Sequence, residues 1–163
     1  MNHIEQSKEG DVYAIAYQDN GKFFVECIDN KGEVKDKLDV SETVVVDDQS
    51  KPITGFWEPL ITCAFIPNDD LFISVYHRFQ KKQYHFTYSY KEKKTLSQVV
   101  VSEIKDCTPL NFPIKSFYSS VTNNCHTFYR QGYGYTVNTS DPSNYWCEQI
   151  TTADLGAMYL LFD

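Results

Sequence analysis

A chain of 163 residues is the size of one domain, long enough to bury a core without a metal or disulfide staple. Its 12 Tyr, 11 Phe, 13 Val, 10 Ile and 12 Thr stand against only 5 Ala and 8 Leu, which predicts an all-β domain and excludes a helix bundle or a disordered chain. With 15 basic against 22 acidic side chains the net charge is −7, which argues against nucleic acid and against an anionic membrane as partners.

Residues 1–10 are polar and mixed in charge, unlike the apolar core of a signal peptide, and read as an N-terminal arm before a single domain over 11–163. No apolar run approaches the roughly 20 residues that span a bilayer. Val12–Tyr17 and Lys22–Ile28 flank Asp19-Asn20-Gly21, a hairpin signal, because Asn-Gly supplies the positive φ angles of a tight turn. Val44-Val45-Val46 follows as further strand. Leu60–Ile66 and Leu71–Tyr76 flank Pro67-Asn68-Asp69-Asp70 in a second hairpin, and Tyr84–Tyr90 then alternates aromatic with polar residues at the strand period of two. Val99-Val100-Val101 closes that unit. The third hairpin joins Ile114–Ser119 to Cys125–Tyr129 through Thr122-Asn123-Asn124, followed by Tyr135-Thr136-Val137 and Tyr145-Trp146-Cys147. A short helical turn is expected near Thr152–Leu155, and Met158–Phe162 reads as a last strand.

The turns at Asn20, Asn68 and Asn123 suggest three pseudo-repeats of similar length. Three units are few for a closed propeller, so the expected fold is a β-trefoil, a closed barrel with a hairpin cap; a propeller fragment or a sandwich is the alternative.

Chemistry-bearing residues are sparse. Cys27, Cys63, Cys107, Cys125 and Cys147 are odd in number and widely spaced, and read as free thiols, several of them buried. His3, His77, His85 and His126 form no ligand spacing; Cys125 and His126 are adjacent and so point to opposite faces of a strand. His85, between Tyr84 and Phe86, reads as solvent-facing. There is no P-loop, and Gly132-Tyr133-Gly134 reads as a turn. No enzyme, cofactor or metal is expected. Asn138-Thr139-Ser140 is a formal glycosylation sequon, though the chain shows no leader that would expose it to glycosylation. In 50–59, Trp57 lies between prolines and is expected in the core.

The succession Leu71–Arg78, a basic turn, Tyr84–Tyr90 and Lys91-Glu92-Lys93-Lys94-Thr95-Leu96-Ser97 resembles the interleukin-1 family of cytokines, its interleukin-18 branch above all. The hairpin around Asn20 with Phe23-Phe24-Val25 is similar to the opening of that branch, Asn123–Phe128 resembles a hairpin of the interleukin-33 branch, and Leu155–Phe162 is similar to the family's closing strand. After Phe128 come Tyr129-Arg130-Gln131, where the family's signature has Glu-Ser. The resemblance implies a trefoil and a leaderless cytosolic precursor matured by a protease and secreted. The implied partners are an immunoglobulin-domain receptor, an accessory receptor and a soluble binding protein, with the cytokine itself a monomer.

Two segments are the candidates for such contact. His77, Arg78, Phe79, Lys81 and Lys82 form a basic turn around an apolar ring in an acidic protein, and Arg and Phe suit a binding anchor. By the resemblance, His77 matches a receptor-facing position. The second segment, with Asp29, Lys31, Glu33, Asp36 and Lys37, is a charged hairpin whose counterpart in the interleukin-18 branch lies on a receptor-binding surface; its mixed charges suit steering. The alternative function is an intracellular adapter or assembly subunit with a constitutive protein partner.

Overall fold

The computed structural model describes residues 3–20, 22–44, 61–77, 82–103, 113–129 and 133–149. They form three antiparallel sheets, each built from strands consecutive in the chain. Sheet I contains β1 (His3–Gln6), β2 (Val12–Asp19), β3 (Lys22–Asp29) and β4 (Val34–Asp39), in that order, followed by the single-turn helix α1 (Val40–Thr43). Sheet II contains β5 (Ile61–Ile66), β6 (Asp70–His77) and β7 (Lys82–Ser89). Its fourth position is shared by β8 (Lys94–Thr95) and β9 (Val100–Glu103), both paired to β7. Sheet III contains β10 (Pro113–Ser119), β11 (Asn124–Tyr129), β12 (Tyr133–Asn138) and β13 (Tyr145–Gln149).

The all-β expectation holds. The closed trefoil barrel is not found among the described residues, because every described pairing lies inside one sheet and none joins one unit to the next. The units meet face to face instead. β5 packs against β1 on one side and β10 on the other, so the three sheets stack through their first strands.

Side-chain size shapes this stack into wedges. Between sheets I and II, Ala14 and Ala16 of β2 and Cys63 of β5 are fully buried, while Tyr84, Phe86 and Tyr88 fill the space along β7. Between sheets II and III, the first strands approach closely enough for Thr62 Oγ1 and Ser116 Oγ to lie 2.5 Å apart. Farther out the gap is filled by rings, with His85 centred 5.8 Å from Tyr135, 5.6 Å from Tyr145 and 5.9 Å from Phe72. Small side chains let the first strands approach and large ones hold the outer strands apart.

Sheet II is therefore covered on both faces, and β7 is buried along nearly its whole length. This corrects the expectation for His85. Alternation gives a solvent face only where a sheet has one, and here His85 is fully buried. In sheet I the alternation of β2 and β3 keeps its ordinary meaning, with Val12, Ala14 and Ala16 inward and Tyr13, Ile15 and Tyr17 half-exposed.

The turns hold a second correction, one of phase. Asn20, Asn68 and Asn123 all take positive φ, 50°, 68° and 56°, as their sequence context predicted. Asn68 and Asn123 join first to second strands, but Asn20 joins the second to the third. The equivalent turn of sheet I is 7–11, where Gly10 has φ 76° and Ser7 Oγ accepts from the Val12 amide at 3.2 Å. Gly and Asn both supply the left-handed conformation, so turn chemistry does not say which strands a turn connects. The first unit accordingly starts at His3–Gln6, in what read as a polar arm.

Three smaller expectations also change. Val44 follows α1 and donates its amide to the Val40 carbonyl rather than starting a strand. Gly134 lies inside β12 opposite Phe128, not in a turn. Cys27, Cys63 and Cys125 are free and buried as expected, but Cys147 is disulfide-bonded. Parity of a cysteine count does not report pairing, which depends on which thiols the fold brings together; Cys107, Val45-Val46, Trp57, Thr152–Leu155 and Met158–Phe162 lie outside the described residues. Among the described residues no helix is long and apolar enough to cross a membrane.

Candidate functional site

Antiparallel order puts the first-to-second and third-to-fourth strand turns of each sheet at one end of its strands, and the second-to-third turns at the other. At the first end the turns of all three sheets converge on a cleft of about 730 Å³. Sheet I contributes Lys8 and Glu9 from its 7–11 turn; sheet II contributes Phe65, Ile66, Asn68, Asp69 and Lys91; sheet III contributes Tyr118 and Ser120. The floor is apolar and the rim carries two ammonium and two carboxylate groups.

The turns that form this rim are held in place. Pro67 fixes the start of the β5–β6 turn, and both Asn68 and Asp69 sit at positive φ, a pairing that bends the chain back within two residues. The Lys91 ammonium donates to the Asn68 carbonyl, tying the turn after β7 to it. Tyr118 donates its hydroxyl to Asn123 Oδ1 at 2.9 Å, and Asn123 Nδ2 donates to Ser140 Oγ at 2.6 Å. Burial raises the Asp70 carboxyl above its ordinary range, with the Lys91 charge opposing that rise.

The residues expected to contact a receptor fall at both ends of the strands. Asp29, Lys31, Glu33, Asp36 and Lys37 belong to the β3–β4 hairpin, at the cleft end. His77 ends β6 opposite Lys82, the half-buried first residue of β7, at the other end. Arg78, Phe79 and Lys81 lie outside the described residues. Among the described residues, His77 and Lys82 are thus not brought together with the β3–β4 hairpin.

Within the hairpin several of these side chains serve the fold. Asp29 accepts the amides of Lys31 and Glu33, both at 2.9 Å, and pairs with Lys35 at 3.2 Å. The Glu33 amide does most to hold its carboxyl below the usual range. Asp36 Oδ2 accepts the Tyr88 hydroxyl at 2.6 Å, linking sheets I and II. The Lys37 ammonium lies 4.5 Å from the Phe24 ring centroid. Lys31 and Glu33 remain exposed beside Gly32, whose φ of 84° makes the turn.

Sequence reasoning missed Lys8, Glu9, Asp69 and Lys91. The signal that marks them is position, the turn after each unit's first strand and the turn after β7, and it becomes visible only once His3–Gln6 is recognised as a strand. Among the described residues no group of three or more His, Cys, Asp or Glu is placed to hold a metal ion. As adjacency predicted, Cys125 is buried inward while His126 faces outward, stacked on Phe117 at 5.0 Å with Nδ1 3.0 Å from Thr136 Oγ1. The sequon's Asn138 spends its side-chain carbonyl on the amides of Ser140 and Asp141, both at 3.0 Å.

No protein-family profile matches the chain, and no curated protein matches it. Among solved structures it is similar to a GH43 glycoside hydrolase engineered to display both endo-xylanase and exo-arabinofuranosidase activity, at 9% identity and a TM-score of 0.48, over 90% of this chain and 28% of that one. It is also similar to apo AztD from Citrobacter koseri, at 10% identity and a TM-score of 0.40, over 91% of this chain and 62% of that one. The chain therefore spans less than two thirds of either protein, and at these TM-scores neither likeness carries an argument here.

Proposed function

We propose that the chain is a protein-binding module built as an arc of three propeller-type blades, acting by contact rather than catalysis. The observation that carries the blade reading is the wedge-shaped packing of sheets through their first strands, with Thr62 against Ser116 at the narrow side and His85 among Tyr135, Tyr145 and Phe72 at the wide side. In such an arc the cleft where the turns of all three blades converge is the binding site. Its apolar floor and mixed-sign rim suit a polypeptide segment carrying an apolar side chain flanked by charges of both signs.

Selection from a displayed peptide library tests this. Enriched peptides should carry that pattern, and Lys8→Glu and Glu9→Lys should each weaken the selected peptide about tenfold. Absence of enrichment, or binding indifferent to both changes, would overturn the assignment.

The secreted cytokine implied by the family resemblance is the second reading. What favours it is that Lys31 and Glu33, two of the residues it assigns to receptor contact, stand exposed on a formed hairpin turn. Its finer fold requires strand pairing between the three units, closing a trefoil barrel. Binding to an interleukin-18-type receptor ectodomain at micromolar concentration is its test, and no binding would sink it.

A further inference from the structure

The outward face of sheet I is more apolar than a solvated sheet face should be. Ile4 is 62% and Val34 51% exposed, and cross-strand rows join Ile4 to Ile15 and Tyr13 to Ile28. The charges among them have polar or aromatic neighbours within the face. Glu26 accepts the Tyr17 hydroxyl at 2.7 Å, and the Lys37 ammonium sits over Phe24. Covering this face would remove apolar surface from water, and the Glu26 and Lys37 charges on it stand directly opposite each other across β3 and β4 with opposite sign. In β1, Ile4 lies on the face that Ile61 and Cys63 occupy in β5, and in sheet II that face is covered by sheet I.

At the other end of the arc, the face of sheet III turned away from sheet II carries a stacked ladder, half-exposed Phe117 and His126 with buried Phe128, whose centroids lie 5.0 and 5.3 Å from Phe117. On the same face Trp146 is 38% exposed.

We propose that the outward face of sheet I receives the outward face of sheet III from a second copy of this chain, in a head-to-tail association. The contact repeats between copies the stacking that joins sheets I to II and II to III within one copy, continuing an interface already built. The proposal rests on the blade reading and replaces the monomer expected from the family resemblance. Two different faces meet, so the contact is heterologous, and two copies joined at both ends would form a closed ring of six sheets.

The test is sedimentation of the full chain over a concentration series, with Ile4→Lys and Trp146→Glu as variants. Both positions are exposed, and circular dichroism confirms that each variant folds. The wild type should associate, and each variant alone should dissociate with a constant raised about tenfold or more. An equimolar mixture should recover a heterodimer, because one copy then offers an intact sheet I and the other an intact sheet III. A wild type monomeric throughout, a Trp146→Glu protein that associates normally, or a mixture without recovery would each overturn the proposal. The blade reading fails separately, if uncoupling Thr62 from Ser116 leaves stability unchanged.

Discussion

Thr62 Oγ1 and Ser116 Oγ lie 2.5 Å apart, 54 residues apart in sequence, and join the first strand of sheet II to the first strand of sheet III. Ser116 Oγ also lies 2.7 Å from Thr127 Oγ1, so three buried hydroxyls form one chain across the narrow side of the interface. Each is sealed from water, and removing the middle one leaves two hydroxyls short of a partner. Ser116→Ala should therefore destabilise the protein by about 1–3 kcal/mol in denaturant unfolding. Combined with Thr62→Val, the loss should be smaller than the sum of the two single losses, since the second change removes a group the first has orphaned. Strict additivity would show that the hydroxyls are not coupled.

His85 makes the second link between these sheets, and it is sensitive to pH. Its Nε2 lies 2.6 Å from the Pro142 carbonyl, which can only accept, so Nε2 carries the proton. Nδ1 has no hydrogen-bond partner among the described residues. Burial lowers the imidazole from 6.5 to about 4, although the Pro142 carbonyl favours the charged form. Between these values the unfolded chain binds a proton that the folded chain does not. Stability from this group is thus fully present above pH 6.5 and is lost as pH falls toward 4, by roughly 3 kcal/mol. His85→Phe should flatten the pH dependence of the denaturation midpoint across that window; an unchanged slope would assign it to other groups.

Backbone conformation predicts opposite signs at two turns. Lys93 sits at φ 55°, where a side chain costs energy that glycine does not. Lys93→Gly should raise stability by about 0.5 kcal/mol. Asn68, at φ 68°, tolerates that region better than most residues, so Asn68→Ala should cost about 1 kcal/mol. Thermal melts of the two variants should move in opposite directions, and a shared direction would contradict the turn assignment.

Thiol reactivity reports the core. Burial pushes the Cys27 and Cys125 thiols up to about 12, and Cys63 well above its ordinary value, so none supplies thiolate near neutral pH. Alkylation followed by peptide mapping should label these three only after denaturant is added. Rapid native labelling of Cys63 would mean that the interface between sheets I and II opens readily.

Strand material was legible in local sequence because aromatic and β-branched runs and asparagine turns are governed by neighbouring residues. The hairpins around Asn20, Asn68 and Asn123 all form where their turn chemistry places them. The candidate site was less legible. Its lining comes from turns up to about a hundred residues apart, which read in sequence as separate hairpin turns rather than parts of one site, and its first turn follows a strand, His3–Gln6, too short and polar to stand out. Asp29 and Asp36 look like free surface charges in sequence because their partners, the amides of a folded turn and Tyr88 of another sheet, exist only after folding.

Composition and local pattern by themselves determined an all-β chain in three units. Tertiary structure decided how those units join, face to face through their first strands rather than edge to edge. The deciding interactions are non-local, between small side chains at Ala14, Thr62 and Ser116 and bulky ones at Tyr84, His85 and Tyr135. Period and turn chemistry constrain which way a side chain points, but not which sheet lies opposite it. That is why alternation placed Tyr84 and His85 on different faces of β7, and only the stack buried both.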